Sequence, residues 1–245
     1  MCRMFAVRAH EPVRIARAFS RLRTLAHEHA DGWGVARFDG DTAVIETALT
    51  PAHSCPRFSA IGDDVETRSM LAHIRKASVG SVHPDNTHPF YARGLAFMHN
   101  GTLRHFDERR AALEAEIAPA WRATLKGETD SERCFGLFLS YLEQVPALKP
   151  PDVARSLVRV MRTVERICDV AGEKRSAMNF LVGDGHSIVA TRRGRTLFTA
   201  HRHGVCFIAS EALWPDEAWH EVPEDHVVLC EGPREPVITP LSAWE

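Results

Sequence analysis

No run of roughly 18 or more apolar residues occurs anywhere in this chain, which excludes an ordinary spanning helix. The N-terminus lacks an apolar segment followed by a small-residue cleavage site, so no secretory leader is expected. A surplus of one charge is missing too. The 30 Lys and Arg residues nearly cancel the 32 Asp and Glu residues, so there is no electrostatic reason to expect nucleic acid or an anionic membrane as a partner. A small neutral or zwitterionic substrate fits better. No Cys-x-x-Cys pair exists, and Cys2, Cys55, Cys134, Cys168, Cys206 and Cys230 lie far apart, which reads as a cytoplasmic protein with reduced thiols. His27 with His29 and His201 with His203 are two positions apart and lack nearby cysteines or clustered carboxylates, so neither a metal nor a cofactor is expected. No repeat, low-complexity tract or linker-like shift in composition divides the chain. With 44% hydrophobic residues to build a core, residues 2–245 are expected to form one domain.

What is present reads as strands, then helices, then strands. Val13, Ala16, Phe19, Leu22 and Ala26 stand near helical spacing and predict a helix over residues 12–27, ended by Asp31-Gly32-Trp33-Gly34. Short apolar runs at 35–38 and 42–47 flank Asp39-Gly40-Asp41 and predict a hairpin. Further strands are expected at 69–74 and 95–99. Helices are expected over 107–125 and 130–144, the second opened by a capping box of Thr129 and Glu132. Pro146, Pro150 and Pro151 break the chain before a third helix, in which Val153, Leu157, Val160, Met161, Val164 and Cys168 share a face. Runs at 178–182 and 187–191 around Gly183-Asp184-Gly185, at 197–200 and 205–209, and at 227–230 read as consecutive hairpins. Without regular strand-helix alternation, this order predicts antiparallel sheets covered by helices, an α+β fold, over a doubly wound parallel one.

The residue with the most chemistry to offer is Cys2. If Met1 is removed, one residue carries both a thiol and an α-amine whose pKa of about 7.7 to 8.0 lets it act as a base near neutrality. Cysteines are also often buried and inert, so Cys2 alone decides nothing. Four further segments bear on it. In His73-Ile74-Arg75-Lys76-Ala77-Ser78, a guanidinium at a strand end could grip a carboxylate in bidentate fashion, with Ser78 adding a hydrogen bond. Asn86-Thr87-His88-Pro89-Phe90 reads as a turn ahead of a strand. In Phe97-Met98-His99-Asn100-Gly101, the Asn100 amide and the Gly101 N–H could both donate to the oxygen of a tetrahedral intermediate, although the pair is equally typical of a tight turn. Gly127-Glu128-Thr129-Asp130-Ser131-Glu132 contains the helix cap, and Asp130 could face an ammonium.

Taken together and in this order, Cys2, Arg75-Lys76-Ala77-Ser78, Asn86-Thr87-His88-Pro89, His99-Asn100-Gly101 and Glu128-Thr129-Asp130-Ser131-Glu132 resemble the class II glutamine amidotransferases of the N-terminal nucleophile hydrolase superfamily. The likeness is to standalone members, which consist of a glutaminase-type domain without a synthase. It implies a four-layer α-β-β-α sandwich of two antiparallel sheets. It also implies Cys2 as nucleophile, Asn100 and Gly101 as oxyanion hole, Arg75 and Ser78 on the substrate α-carboxylate, Asp130 on the α-ammonium, and His88 shaping the pocket.

Two positions depart from the family pattern. The large synthases have an Arg-Gly pair in the loop that here reads Glu28-His29-Ala30-Asp31-Gly32-Trp33-Gly34, and the aromatic that often follows the carboxylate-binding arginine is Lys76. The implied chemistry is hydrolysis of a γ-glutamyl amide through a cysteine thioester, without a cofactor. Whether the amide is glutamine, with ammonia passed to a protein partner, or a larger γ-glutamyl compound as in ergothioneine biosynthesis is left open. So is a non-catalytic glutamine-binding subunit.

Overall fold

Apolar residues on both faces of the first strand, β1 (Arg3–Arg14), make it a wall between two cores. Phe5 and Val7 point to one side, Met4 and Ala6 to the other. The computed structural model describes residues 2–145, 148–216 and 218–245. After β1 come α1 (Ala16–Leu25), β2 (Trp33–Asp39), β3 (Thr42–Ala48), α2 (Pro56–Asp64), β4 (Glu66–Ile74), β5 (Phe90–Ala92) and β6 (Leu95–Thr102). The helices α3 (Phe106–Ala115), α4 (Pro119–Arg122), α5 (Asp130–Leu142) and α6 (Pro150–Cys168) follow. The chain then returns to strands: β7 (Ala177–Gly183), β8 (Ser187–Arg192), β9 (Phe198–Arg202), β10 (Val205–Ala209), β11 (His220–Glu221), β12 (His226–Glu231) and β13 (Val237–Pro240).

These strands form two antiparallel sheets, ordered β11-β9-β10-β1-β4-β2-β3 and β13-β12-β8-β7-β6-β5. Three apolar clusters give the layering. Phe19, Leu22, Phe58 and Ile61 of α1 and α2 pack on Phe5, Val35 and Met70 of the first sheet. Met4, Ala6, Leu71, Met98, Leu181 and Ile208 fill the space between the sheets. Leu137, Phe138, Leu157 and Met161 of α5 and α6 cover Phe97, Phe180 and Val182 of the second. The result is the expected α-β-β-α sandwich. All thirteen residues of α5 are buried, so its polar residues must find partners inside the protein.

Several local expectations need correction. Residues 12–14 are not helical, because Val13 and Arg14 extend β1 to pair with Thr67 and Glu66 beyond an irregularity in register. The helix expected over 107–125 is two, α3 and α4, with Pro119 in the first turn of the second. The nine-residue α2 was not expected at all. Thr129 Oγ1 does accept from the Glu132 N–H at 3.2 Å, but the Glu132 carboxylate reaches back to the N–H groups of Lys126 and Gly127, at 2.7 and 2.9 Å, in place of a reciprocal box. Pro146 and Met1 lie outside the described residues. Cys206 of β10 and Cys230 of β12 form a disulfide between the two sheets, which corrects the expectation that every thiol is reduced. Their spacing in sequence hid a pairing that sheet stacking creates.

Candidate active site

Cys2 sits immediately before β1, half-buried, and is tied to the segment leaving β4. Its thiol lies 3.5 Å from the Lys76 carbonyl, and its Sγ accepts from the Lys76 N–H at 3.4 Å. Burial pushes the Cys2 thiol above its ordinary pKa and Asp130 adds to the rise. The Lys76 N–H and the Arg75 charge oppose it. At rest the sulfur therefore keeps its proton.

Arg75 is the first residue past β4, with its side chain turned inward and 3% exposed. Its backbone is clamped by the Asp31-Gly32 loop: the Arg75 N–H donates to the Gly32 carbonyl at 2.9 Å, and the Asp31 N–H donates to the Arg75 carbonyl at 3.2 Å. Asp31 Oδ2 also accepts from the Ala77 N–H at 2.8 Å. Nη2 of Arg75 donates to the carbonyls of Val79 and Gly80 at 3.3 and 3.4 Å, while Nη1 is buried without a hydrogen-bond partner among the described residues. An unpaired guanidinium nitrogen in a buried setting is costly unless an anion completes it. Ser78, by contrast, is exposed, and its hydroxyl meets only that of Thr102, at 3.5 Å.

Asp130 opens α5 and is buried. Its Oδ1 accepts from the Ser131 N–H at 2.8 Å, with the Ser131 hydroxyl oxygen 3.3 Å away, and its Oδ2 accepts from the Leu103 N–H at 2.9 Å. On β6, Gly101 is bare for a steric reason: a Cβ there would fall 1.8 Å from the Ala177 carbonyl oxygen and 2.2 Å from His99 Nε2. Asn100, 3% exposed, shares by strand alternation the face of Met98 and Ala96, which points between the sheets as Met4 and Ala6 do beyond Cys2.

His88 closes the back of the site. It packs against His73 and Phe90 with tilted rings, centroids at 4.4 and 4.7 Å, and among the described residues neither His88 ring nitrogen has a hydrogen-bond partner. Burial lowers His88 well below its ordinary pKa and takes His73 down to about 3, so both rings are neutral. Gly34 accommodates this packing, since a Cβ there would overlap the His88 carbonyl oxygen at 1.9 Å.

One narrow cleft is lined by Cys2, Arg75, Ser78, His88, Gly101 and Asp130. Asn100 is adjacent along β6. Six of the expected residues thus line one cleft, with Ser78 exposed, while Asn100 is not among the lining residues and is placed only as the neighbour of Gly101. The cleft holds about 20 Å³ of free space, room for about one water. A larger cavity of about 540 Å³ lies across the 84–89 loop, lined by Thr87, Pro89, Tyr91, Trp121 and Phe135 among others. Among the described residues no group of three or more His, Cys, Asp or Glu side chains converges as metal ligands.

The class II glutamine amidotransferase family profile matches residues 1–204. The chain belongs to this family. The probable glutamine amidotransferase DUG3 of Saccharomyces cerevisiae is 29% identical over 78% of this chain, which spans 63% of that relative's length. The gamma-glutamyl-hercynylcysteine sulfoxide hydrolase of Mycolicibacterium smegmatis is 24% identical over 87% of this chain and 82% of its own. Among solved structures, a glutamine aminotransferase class-II domain protein from Silicibacter pomeroyi superposes with a TM-score of 0.72 at 25% identity, covering 98% of both chains. The fold is also that of the glutamine phosphoribosylpyrophosphate amidotransferase of Bacillus subtilis, with a TM-score of 0.69 at 15% identity over 98% of this chain and 49% of that one.

Some residues of this amidotransferase site escaped sequence reasoning. Asp31 fixes the segment after Arg75. Asn86 accepts from the Glu128 N–H at 2.8 Å through Oδ1 and donates to the Ser81 carbonyl at 3.0 Å, and Glu128 accepts from the Ser81 N–H and hydroxyl at 3.0 and 2.9 Å. Together Asn86 and Glu128 hold the loop that flanks the cleft. Asn86 and Glu128 stood inside quoted motifs, but nothing local in sequence marks a pairing across 42 positions.

Proposed function

We propose that this protein hydrolyses a γ-glutamyl amide, with Cys2 as an N-terminal nucleophile once Met1 is removed. In this reading the α-amine of Cys2 takes the thiol proton, sulfur attacks the γ-carbonyl, and a γ-glutamyl thioester forms while the protonated amine delivers its proton to the departing nitrogen. Water then cleaves the thioester with the same amine as base. Arg75 and Ser78 receive the α-carboxylate, Asp130 the α-ammonium, and Asn100 with Gly101 the developing oxyanion. His88, neutral and without polar partners, shapes the pocket and moves no proton.

The observation that carries this reading is the convergence in one cleft of the Cys2 thiol, the unpaired buried Nη1 of Arg75 and the Asp130 carboxylate. They supply complementary partners for a molecule bearing a carboxylate and an ammonium on one carbon. With space for about one water, a γ-glutamyl group enters only when the lining of the cleft moves apart. Free glutamine is the first candidate, its ammonia then serving a protein partner. The mycobacterial relative, named a hydrolase of a gamma-glutamyl compound, favours a larger leaving group as the second. Incubation with a diazoketone analogue of glutamine, followed by peptide mapping, tests the assignment. A single adduct on Cys2, slowed by L-glutamate, is expected. Labelling spread over other cysteines and indifferent to L-glutamate would remove the nucleophile assignment.

A further inference from the structure

We propose that His99 is a positioning residue that holds the Ser131 hydroxyl away from Asp130 and so keeps a carboxylate acceptor open for the substrate ammonium. The inference rests on the assignment of Asp130 to that ammonium and adds what sets its readiness.

The available protons fix the direction of each bond around His99. His99 Nε2 lies 3.1 Å from the Ala177 carbonyl oxygen, which can only accept, so Nε2 carries the hydrogen. Burial lowers the His99 pKa against the opposing pull of Asp130, which leaves the ring neutral and Nδ1 a bare lone pair. The partner of Nδ1 is Ser131 Oγ at 2.9 Å, and that hydroxyl must therefore donate to His99. Ser131 has one hydroxyl proton and a second, longer option, Asp130 Oδ1 at 3.3 Å. With the proton committed to His99, Asp130 receives only the N–H groups of Ser131 and Leu103, at 2.8 and 2.9 Å. That occupies two of its roughly four lone-pair sites.

The ring itself is fixed. It rests against Phe180 at a centroid distance of 5.0 Å, and the missing Cβ of Gly101 leaves room for Nε2. If the acceptor at Nδ1 is lost, the Ser131 hydroxyl turns to Asp130, takes a third site and damps the charge offered to the cleft.

The test compares Kd for L-glutamate, the product of any γ-glutamyl hydrolysis, with Kd for glutarate, which lacks only the amine, by calorimetry on the full chain. The parent should prefer L-glutamate. His99→Phe should lose about tenfold of that preference, the order of one hydrogen bond to a charged group, with little change for glutarate. His99→Phe combined with Ser131→Ala, which removes the competing hydroxyl, should recover it. His99→Leu, which carries no acceptor, gives the same reading should His99→Phe fail to fold. An undiminished preference in these single variants, or no recovery in the double variant, overturns the positioning role and leaves the Asp130 assignment standing. A parent without preference overturns that assignment and this inference with it.

Discussion

The buried histidines give the protein a specific sensitivity to mild acid. His73 is fully buried between the sheets, its ring tilted against that of His88 and its protonation favoured only by a hydrogen bond with the His99 backbone, which burial outweighs. Burial brings its pKa from 6.5 down to about 3. Between those two values the unfolded chain binds a proton that the folded protein refuses, so stability rises with pH through this window and is lost as pH falls below about 6.5. Taking RT ln of the ratio of the two binding polynomials, His73 alone costs about 1.4 kcal/mol at pH 5.5 and about 2.7 kcal/mol at pH 4.5 relative to pH 8. His88 and His99 are shifted downward by burial too and add in the same direction. The depressed carboxylates Glu114, Glu165 and Asp225 also lose their stabilising charge on acidification, but only from ordinary carboxylate values of 4.5 and below. The interval from pH 7 to 5.5 therefore isolates the histidines. Urea unfolding at pH 7 and 5.5 should show the parent weakening by more than the about 1.3 kcal/mol that His73 alone contributes over this interval, and His73→Phe should weaken by correspondingly less. Equal losses in parent and His73→Phe would refute the buried neutral state of His73.

Three further outcomes test other parts of the site. Arg75→Ala should raise the Kd for L-glutamate by about ten- to a hundredfold, the weight of a charge-assisted hydrogen bond, in a protein that still folds; unchanged binding by calorimetry would remove the carboxylate assignment. Asn100→Ala should lower kcat by about a hundred- to a thousandfold with little change in KM, because an oxyanion donor acts on charge that develops in the transition state, and a predominantly KM effect in steady-state assays would leave Asn100 a structural residue of β6. Gly101→Ala should fail differently: its Cβ would meet a backbone carbonyl at 1.8 Å, so thermal unfolding should show destabilisation of about 3 kcal/mol or more, and a variant as stable as the parent would contradict the packing of His99 over Gly101.

The fold was legible wherever apolar periodicity was strong. The face of Val153, Leu157, Val160, Met161 and Val164 predicted α6, and the apolar runs around Gly183-Asp184-Gly185 predicted the β7-β8 hairpin. It was illegible where an element is short. Helix α2 has nine residues, of which Phe58, Ile61 and Gly62 are the buried ones, too few to show a period. Residues 12–14 look helical in sequence because Val13 falls in phase with Ala16 and Phe19, yet pairing with β4 holds them in a strand. The site was readable as a set of motifs, since Cys2, Arg75, Asn100, Gly101 and Asp130 are residue types with few other reasons to recur in that order. What supports them was not readable. His99 meets Ser131 and Ala177 from 32 and 78 positions away, and Asp31 meets Ala77 from 46. Such partners are chosen by the stacking of the sheets and the fully buried path of α5, which no local pattern encodes.

The central claim is that the Cys2 amine serves as the base for its own thiol. It is tested most directly by comparing γ-glutamyl amide turnover in two homogeneous samples, one beginning at Met1 and one beginning at Cys2, each verified by intact mass. An acylated amine has no basic lone pair near neutral pH, and the preceding residue also occupies space the substrate needs. Turnover confined to the sample beginning at Cys2, with a thioester trapped on that residue, is the predicted result. Equal turnover from the sample that retains Met1 would contradict the account.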